Sequence, residues 1–438
     1  MANFYTPKTK KQQSTHDIRL HIDRLDINGV GVGLYRKKPV FVENTLPDEI
    51  VSARVIEQKN KYSRAKLLAI ENASEKRVQA KCLHVTQCGG CDLQHLTFSA
   101  HMEVKKSKVN ELFARHGITS LLPWQMPIVS EPWNYRRKAR IGVQYNKTGD
   151  ATIGFRQRAT NKLVKIRQCE VLVKPLASIF VQLNPLLASL TVKKAIGHIE
   201  VVATEQVTLA IRQLLPLSIA DKSLWLAAAK QHQWQIFIDD GNQVLPINEV
   251  KPLQYRVNKN IQLTFNISHF IQVNHHVNKL MVEQALDWLS ITKNDNVLDL
   301  FCGLGNFSLP MAQRSNKVVG VEGVNNMVVQ AADNARANGI ENCHFYQADL
   351  NSDWQTQEWA QQSFDKVLLD PARAGAYQAL EHIIELNIKL VLYISCDPTS
   401  LAKDSALLLQ KGYKVTNIGL IDMFAQTKHV ETMVLFTA

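Results

Sequence analysis

The chain has 438 residues, 45% of them hydrophobic and 21% charged, which excludes a disordered, collagenous or low-complexity protein and leaves room for about two to four folded domains. Its net charge of +12 is unevenly placed: residues 1–170 hold 30 Lys and Arg against 15 Asp and Glu, and residues 171–438 hold 21 against 24. Segregation on that scale favours a polyanionic partner, nucleic acid ahead of membrane, over a merely solvated basic face.

The opening MANFYTPKTKKQQ has no apolar core of signal-peptide length, and no later stretch supplies the roughly 20 uncharged apolar residues of a membrane span, so a cytoplasmic chain without a membrane partner is expected. Residues 18 to 70 alternate in short runs (IRLHIDRL, PVFVEN, EIVSARVIEQ, RAKLLAIE) punctuated by Gly29, Gly31 and Gly33, the pattern of strands joined by tight turns. A small β-barrel over residues 1–72 is expected. Arg36, Lys37, Lys38, Lys59, Lys61, Arg64 and Lys66 cluster at and between its strands, which favours RNA binding over a purely structural barrel.

A mixed α+β segment, residues 73–268, opens on Cys82-x5-Cys88-Gly89-Gly90-Cys91, and Cys169 is the one other cysteine before residue 302. Seven cysteines are too few for a disulfide scaffold in a chain this long. Four thiolates suit a [4Fe-4S] cluster or a structural zinc, and the spacing fits neither the paired C-x2-C of zinc ribbons nor the C-x3-C-x2-C of radical S-adenosylmethionine enzymes. A helix is expected near residues 99–116. Farther on, Trp133 and Tyr135 stand beside Arg136, Arg137, Lys138 and Arg140, where aromatic stacking and phosphate contacts could serve an RNA strand; YRRKARIGV also alternates as a half-buried strand would.

From residue 269 the pattern changes to helix and apolar strand in alternation. Val277, Leu280, Met281, Ala285, Trp288 and Leu289 mark one helix face, and NVLDLF, KVVGVE, CHFYQAD, KVLLD and LVLYISC read as buried strands, the signature of a doubly wound parallel sheet over residues 269–438. The first strand runs into Cys302-Gly303-Leu304-Gly305-Asn306, Glu322 ends the second, and Asp349 follows the third. With Asp299 before the loop and Ser308 in place of a third glycine, the arrangement favours the nucleoside of S-adenosylmethionine over a pyrophosphate-bearing dinucleotide.

Asp370-Pro371 and Ser395-Cys396-Asp397-Pro398 end the fourth and fifth strands, so these groups converge on the same crevice. A thiolate that adds to C6 of uracil turns C5 into a nucleophile for a methyl group, and a base must then take the C5 proton. Cys396 is the candidate thiolate; His429 and Glu431, two apart near the C-terminus, are candidates for the base.

These motifs together, C-x5-CGGC with a distant fourth cysteine, YRRKAR, FIQVN, LDLFCGLGNFSL, LLDPARAG, SCDP and HVETM, resemble the bacterial RNA (uracil-C5)-methyltransferases along nearly the whole chain, specifically the iron-sulfur branch acting on 23S rRNA. The resemblance implies an N-terminal TRAM (OB-like) β-barrel, a central domain carrying the cluster and a C-terminal Rossmann-like methyltransferase domain, against which the 99–116 helix would pack. It implies Cys396 as nucleophile and Glu431 as C5 base. It implies Gln272, Phe301, Asn306, Glu322, Asp349 and Asp370 as S-adenosylmethionine contacts, and Cys82, Cys88, Cys91 and Cys169 as ligands of a [4Fe-4S] cluster. The implied partner is 23S rRNA at uridine 1939, bound by a monomer. Asp397 departs from the Asn frequent after the nucleophile, and Ala372 from a second proline. The rival readings are a tRNA uridine-C5 methyltransferase, an RNA cytosine-C5 enzyme, for which Asp370-Pro371 lacks a cysteine, and a noncatalytic RNA-binding or redox-sensing iron-sulfur protein.

Overall fold

The computed structural model describes residues 16–438. The opening stretch read for a targeting signal, and the start of the segment expected at 1–72, lie outside the described residues. No helix among the described residues is long and apolar enough to cross a membrane. The chain divides into two compact units, one running up to Ala80 and including Asp92–Val104, the other comprising Lys81–Cys91 and Lys105–Ala438. The division falls inside the helix Phe98–Arg115.

In the first unit the alternating runs form a six-stranded sheet in the order Asp17–His21, Ile50–Gln58, Ser63–Asn72, Lys38–Val42, Gly31–Tyr35, Arg24–Leu25. Its inward residues Ile18, Leu20, Ile22, Val40, Val42, Val51, Ala53, Val55 and Ala65 make a private core. The sheet curls tightly: a Cβ on Gly33 would lie 2.0 Å from the His21 carbonyl oxygen, so only glycine allows that approach of two backbones. The expected barrel is present.

The second unit holds two seven-stranded sheets. One contains, in spatial order, Val244–Pro246, Gln235–Asp239, Val207–Gln213, Ile196–Ala203, Lys138–Tyr145, Ala151–Arg156 and Leu163–Lys165. The helices Ile179–Ser189 and Ile219–His232 cover it with Phe180, Leu183, Leu187 and Trp225.

The strands of the other sheet are β1 (Asn296–Leu300), β2 (Lys317–Glu322), β3 (Cys343–Gln347), β4 (Lys366–Leu369), β5 (Leu390–Ser395), β6 (Lys414–Ile421) and β7 (Glu431–Thr437), in the order β3-β2-β1-β4-β5-β7-β6. The first five are parallel, with the near-continuous apolar sequence of strands buried on both faces. These are the five strands of the expected doubly wound parallel sheet, and two more follow them. β7 inserts between β5 and β6 antiparallel to both, because the chain returns from β6 through residues 422–430 with no crossover helix, and a direct return can only pair antiparallel.

From Lys105 onward the helix Phe98–Arg115 packs on this β6–β7 hairpin. Lys105 Nζ donates to Asp422 Oδ1 at 2.6 Å and Lys108 Nζ to the Lys428 carbonyl at 3.4 Å.

Candidate active site

Parallel strands deliver their carboxyl ends to one edge, and Asp299, Phe301, Glu322, Asp349, Asp370 and Cys396 stand at or just past those ends. After β1 the chain turns through Phe301, Gly303 and Gly305, whose φ angles are +62°, +57° and +86°. Phe301 holds this left-handed conformation without being glycine, at a cost of about 1–2 kcal/mol. Glu322, at the end of β2, clamps the turn: its carboxylate accepts from the Gly303 N–H at 3.1 Å and from the Val324 N–H at 3.1 Å.

Asp299 is buried beneath the turn, with one carboxyl oxygen receiving the Ser308 hydroxyl and the other without a hydrogen-bond partner among the described residues. Burial pushes its pKa up to about 8, opposed by the Ser308 hydrogen bond and reinforced by Asp370 and Glu322. Burial raises Asp370, just past β4, to about 7. Asp349, beyond β3, is exposed and accepts from the Asn351 backbone at 3.0 Å. The amide of Asn306 is engaged reciprocally with Asn278, at 2.9 and 3.0 Å, and receives the Tyr255 hydroxyl at 3.3 Å. Gln272 is buried, its carbonyl accepting from Arg137 Nε at 3.0 Å.

Strand register brings the two reaction candidates together. Ser395 pairs with Thr432 across β5 and β7, so one further step sets Cys396 opposite Glu431. Cys396 is half-buried, and burial raises its thiol to about 11, with the negative charges of Glu431 and Asp370 adding and Arg373 opposing. Burial thus favours the thiol form of this candidate nucleophile over the thiolate. Glu431 is 6% exposed and its Oε2 has no partner among the described residues. Its carboxyl is pushed well above the usual range by burial and by Asp370 and Asp422, while Lys105 pulls the other way. His429 lies before β7, its ring centroid 5.8 Å from that of Phe424.

Asp397 caps the helix Pro398–Gln410, its Oδ1 accepting from the Thr399 N–H at 2.8 Å and the Ser400 N–H at 3.3 Å. The residue after Cys396 thus starts this helix. Ala372 is exposed.

The sequence model of the family described as tRNA (Uracil-5-)-methyltransferase matches residues 97–438. The chain belongs to this family. A TRAM domain model matches residues 16–68, the six-stranded sheet of the first unit. A Colwellia psychrerythraea protein named 23S rRNA (uracil(1939)-C(5))-methyltransferase RlmD is 51% identical, spanning 100% of this chain and 99% of its own. Proteins of the same name from a Shewanella species and from Aliivibrio fischeri are 41% and 42% identical, over 100% of this chain and 99% and 100% of theirs. The solved Pyrococcus abyssi tRNA (uracil-54, C5)-methyltransferase in complex with S-adenosyl-L-homocysteine superposes with a TM-score of 0.74 at 19% identity, covering 96% of this chain and 100% of that one. At that identity it speaks to the fold.

In this uracil-C5 methyltransferase the basic YRRKAR run is largely internal, which corrects the expectation of an RNA-stacking strip. Tyr135 is buried with its hydroxyl on the Ala425 carbonyl at 2.8 Å. Arg137 is buried 4.2 Å over the Tyr255 ring, and Lys138 donates to the Ile267 and His269 carbonyls at 2.6 Å each. Trp133 is capped by Lys81, and Arg140 pairs with Glu200. Strand alternation, the other reading of the same residues, is what the fold uses.

Cys82, Cys88, Cys91 and Cys169 are all half-buried. The loop carrying the first three is held to the end of strand Ala151–Arg156 by the Gly89 N–H on the Arg156 carbonyl at 2.9 Å and by Arg158 on the Cys91 carbonyl at 2.7 Å. Cys169 lies near enough to Cys82 and Cys88 for their charges to raise its thiol pKa, which burial already lifts to about 11. N–H groups point at the sulfurs: His84 at Cys82 and Gly90 at Cys88, each 3.4 Å, with Val171 and Leu172 at Cys169. Among the described residues no three His, Cys, Asp or Glu side chains stand in a metal-holding arrangement.

Sequence reasoning missed Lys105, Asp422, Asn278, Tyr255 and the internal role of Arg137. Lys105 and Asp422 are 317 positions apart, and a lysine beside Lys106 and Lys108 reads as solvated surface. Asn278 alone carried a signal, a polar residue on the apolar face of the helix His275–Leu289.

Proposed function

We propose that this chain methylates C5 of uridine 1939 in 23S rRNA, with S-adenosylmethionine as donor. The observation that carries the chemistry is the β5–β7 register that sets Cys396 opposite Glu431 at the carboxyl edge of the sheet; the rRNA target follows the names of full-length relatives. The bound donor supplies an electrophilic methyl group. Cys396, half-buried and so open to solvent, loses its thiol proton to water and its sulfur bonds C6, while the C5=C6 pair becomes C4=C5 and the C4=O4 pair moves onto oxygen. C5 of this enolate then takes the methyl group, whose old bond to the donor breaks with its electron pair left on the donor's sulfur as a neutral thioether. Glu431 then removes the C5 proton, the double bond reforms, and the C6–S bond breaks.

Phe301, Asn306, Glu322, Asp349, Asp370 and Gln272 hold the donor in this reading. Asn306, whose amide is committed to Asn278 and Tyr255, contributes by fixing the turn and through its backbone. The reading also includes a cytoplasmic monomer divided near residues 72 and 268, with the barrel holding RNA through backbone contacts whose strength falls with salt. A uridine within a helix cannot reach a strand-end thiol, so the target is looped or flipped out. Labelled methyl groups supplied with unmodified 23S rRNA and with tRNA should appear at one uridine of the rRNA alone; labelling of tRNA instead would support the rival substrate, and labelling of neither would sink the reading.

The same proposal includes a [4Fe-4S] cluster on Cys82, Cys88, Cys91 and Cys169. The N–H groups aimed at three of the four sulfurs support it, since such bonds stabilise thiolate ligands. The cluster would tie the Cys82–Cys91 loop to Cys169. Protein purified without oxygen should be brown and carry iron and sulfide in near-equal amounts, and Cys88→Ser should lose both; zinc in place of iron would overturn this assignment.

A further inference from the structure

Around Glu431 the fold buries more charge than the reaction as written uses. Lys105 is 2% exposed, Asp422 1% and Glu431 6%. The Lys105 ammonium donates to Asp422 Oδ1 at 2.6 Å and to the Phe424 carbonyl at 3.3 Å. Asp422 directly follows Ile421, the residue paired with Glu431 across β6 and β7, and its N–H is fixed by the Ile128 carbonyl at 2.8 Å. Asp422 Oδ2 and Glu431 Oε2 lack hydrogen-bond partners among the described residues. The charged groups acting on Glu431 are thus Lys105 from the helix Phe98–Arg115, Asp422 from the end of β6 and Asp370 from the end of β4, with Cys396 across the register from β5.

Three carboxyl groups cannot all ionise in a dry site without a cation, because each ionised neighbour opposes ionisation of the next. Resting on the reading of Glu431 as the C5 base, we infer that Lys105 is a positioning residue for the last step of the reaction: its ammonium neutralises Asp422, so that Glu431 stands ionised beside the proton it removes. The proton passes from C5 to Glu431, the C5–H electron pair rebuilds C5=C6, and the sulfur leaves with the C6–S pair. A lysine that merely bolted the helix to the hairpin would affect stability and every step of turnover alike.

The charge arrangement makes predictions of opposite sign. Lys105→Met leaves Asp422 uncompensated, so Glu431 resists ionisation, the acid limb of the turnover profile moves to higher pH by about one unit or more, and release from the methylated adduct slows at least about tenfold. Asp422→Asn leaves the ammonium uncompensated, and the limb moves to lower pH. The double variant Lys105→Met/Asp422→Asn returns the limb close to the wild-type position. The measurement is single-turnover methyl transfer and adduct decay on an rRNA fragment across the acid range. Transfer of the first methyl group at the wild-type rate by Lys105→Met, with accumulated adduct, supports the inference. Both single variants shifting the limb in the same direction, or not at all, overturns it, as does a double variant that behaves as the sum of two losses. Wild-type enzyme and Glu431→Gln run alongside: no product from the first, or full turnover by the second, sinks the reading of Glu431 itself rather than the role of Lys105 alone.

Discussion

Cys396→Ala transfers no detectable methyl group, a loss of roughly 10⁴-fold or more, while S-adenosylmethionine still binds. The first half follows from the chemistry: without a bond at C6, C5 of uracil has too little electron density to displace the donor's methyl group, and among the described residues no other cysteine ends β4, β5 or β7. The second half follows from position. The donor's expected contacts lie ahead of the helix His275–Leu289 and at the ends of β1, β2, β3 and β4, whereas Cys396 follows β5. The thiol is half-buried, so trimming it costs about 1 kcal/mol of stability. Isothermal titration with the donor and a methyl-incorporation assay on the same preparation check both halves. Turnover by the variant would remove the covalent route.

Glu431→Gln is expected to stop the reaction one step later. Addition and methyl transfer proceed, the C5 proton stays, and a methylated RNA–protein adduct accumulates that survives denaturing electrophoresis, with turnover lowered by about 10²–10⁴-fold. The amide has nearly the shape of the carboxylate, so the β6–β7 hairpin is little disturbed. The pH profile is part of the expectation: burial and the charges of Asp370 and Asp422 hold the Glu431 carboxyl well above its ordinary pKa, so the wild-type base gains ionised form as pH rises, and turnover on the acid side climbs with it. The variant has no such group to titrate and loses that limb. Full activity without adduct would rule Glu431 out as the base.

Much of this site was legible before any coordinates because its parts are local. Asp299, the Phe301–Asn306 turn, Glu322, Asp370 and Cys396 each sit at the end of an apolar strand, and a run such as LVLYISC states both the strand and what it delivers. The barrel was readable for the same reason, from alternation and glycine. What escaped was whatever depended on contacts between distant segments. Nothing in KVTNIGLI or ETMVLFT says that the last two strands pair as a hairpin with β7 against β5, yet that register alone sets Glu431 opposite Cys396. The pairing of Lys105 with Asp422 is beyond any window of sequence. The YRRKAR run misled for a physical reason: a buried arginine on backbone carbonyls and a tyrosine ring is written with the same letters as one waiting for a phosphate.

The cap at Asp397 has one more implication. The helix Pro398–Gln410 asks only for an oxygen that can accept from the N–H groups of Thr399 and Ser400, and the amide oxygen of asparagine meets that demand as well as a carboxylate does. Backbone geometry is therefore degenerate between the two residues. The choice between them is released from the duty of starting the helix and reduces to whether a full negative charge stands one residue from the nucleophilic sulfur, at the end of a helix whose own dipole favours anions. Two sequences with indistinguishable folds can in this way carry differently tuned thiols.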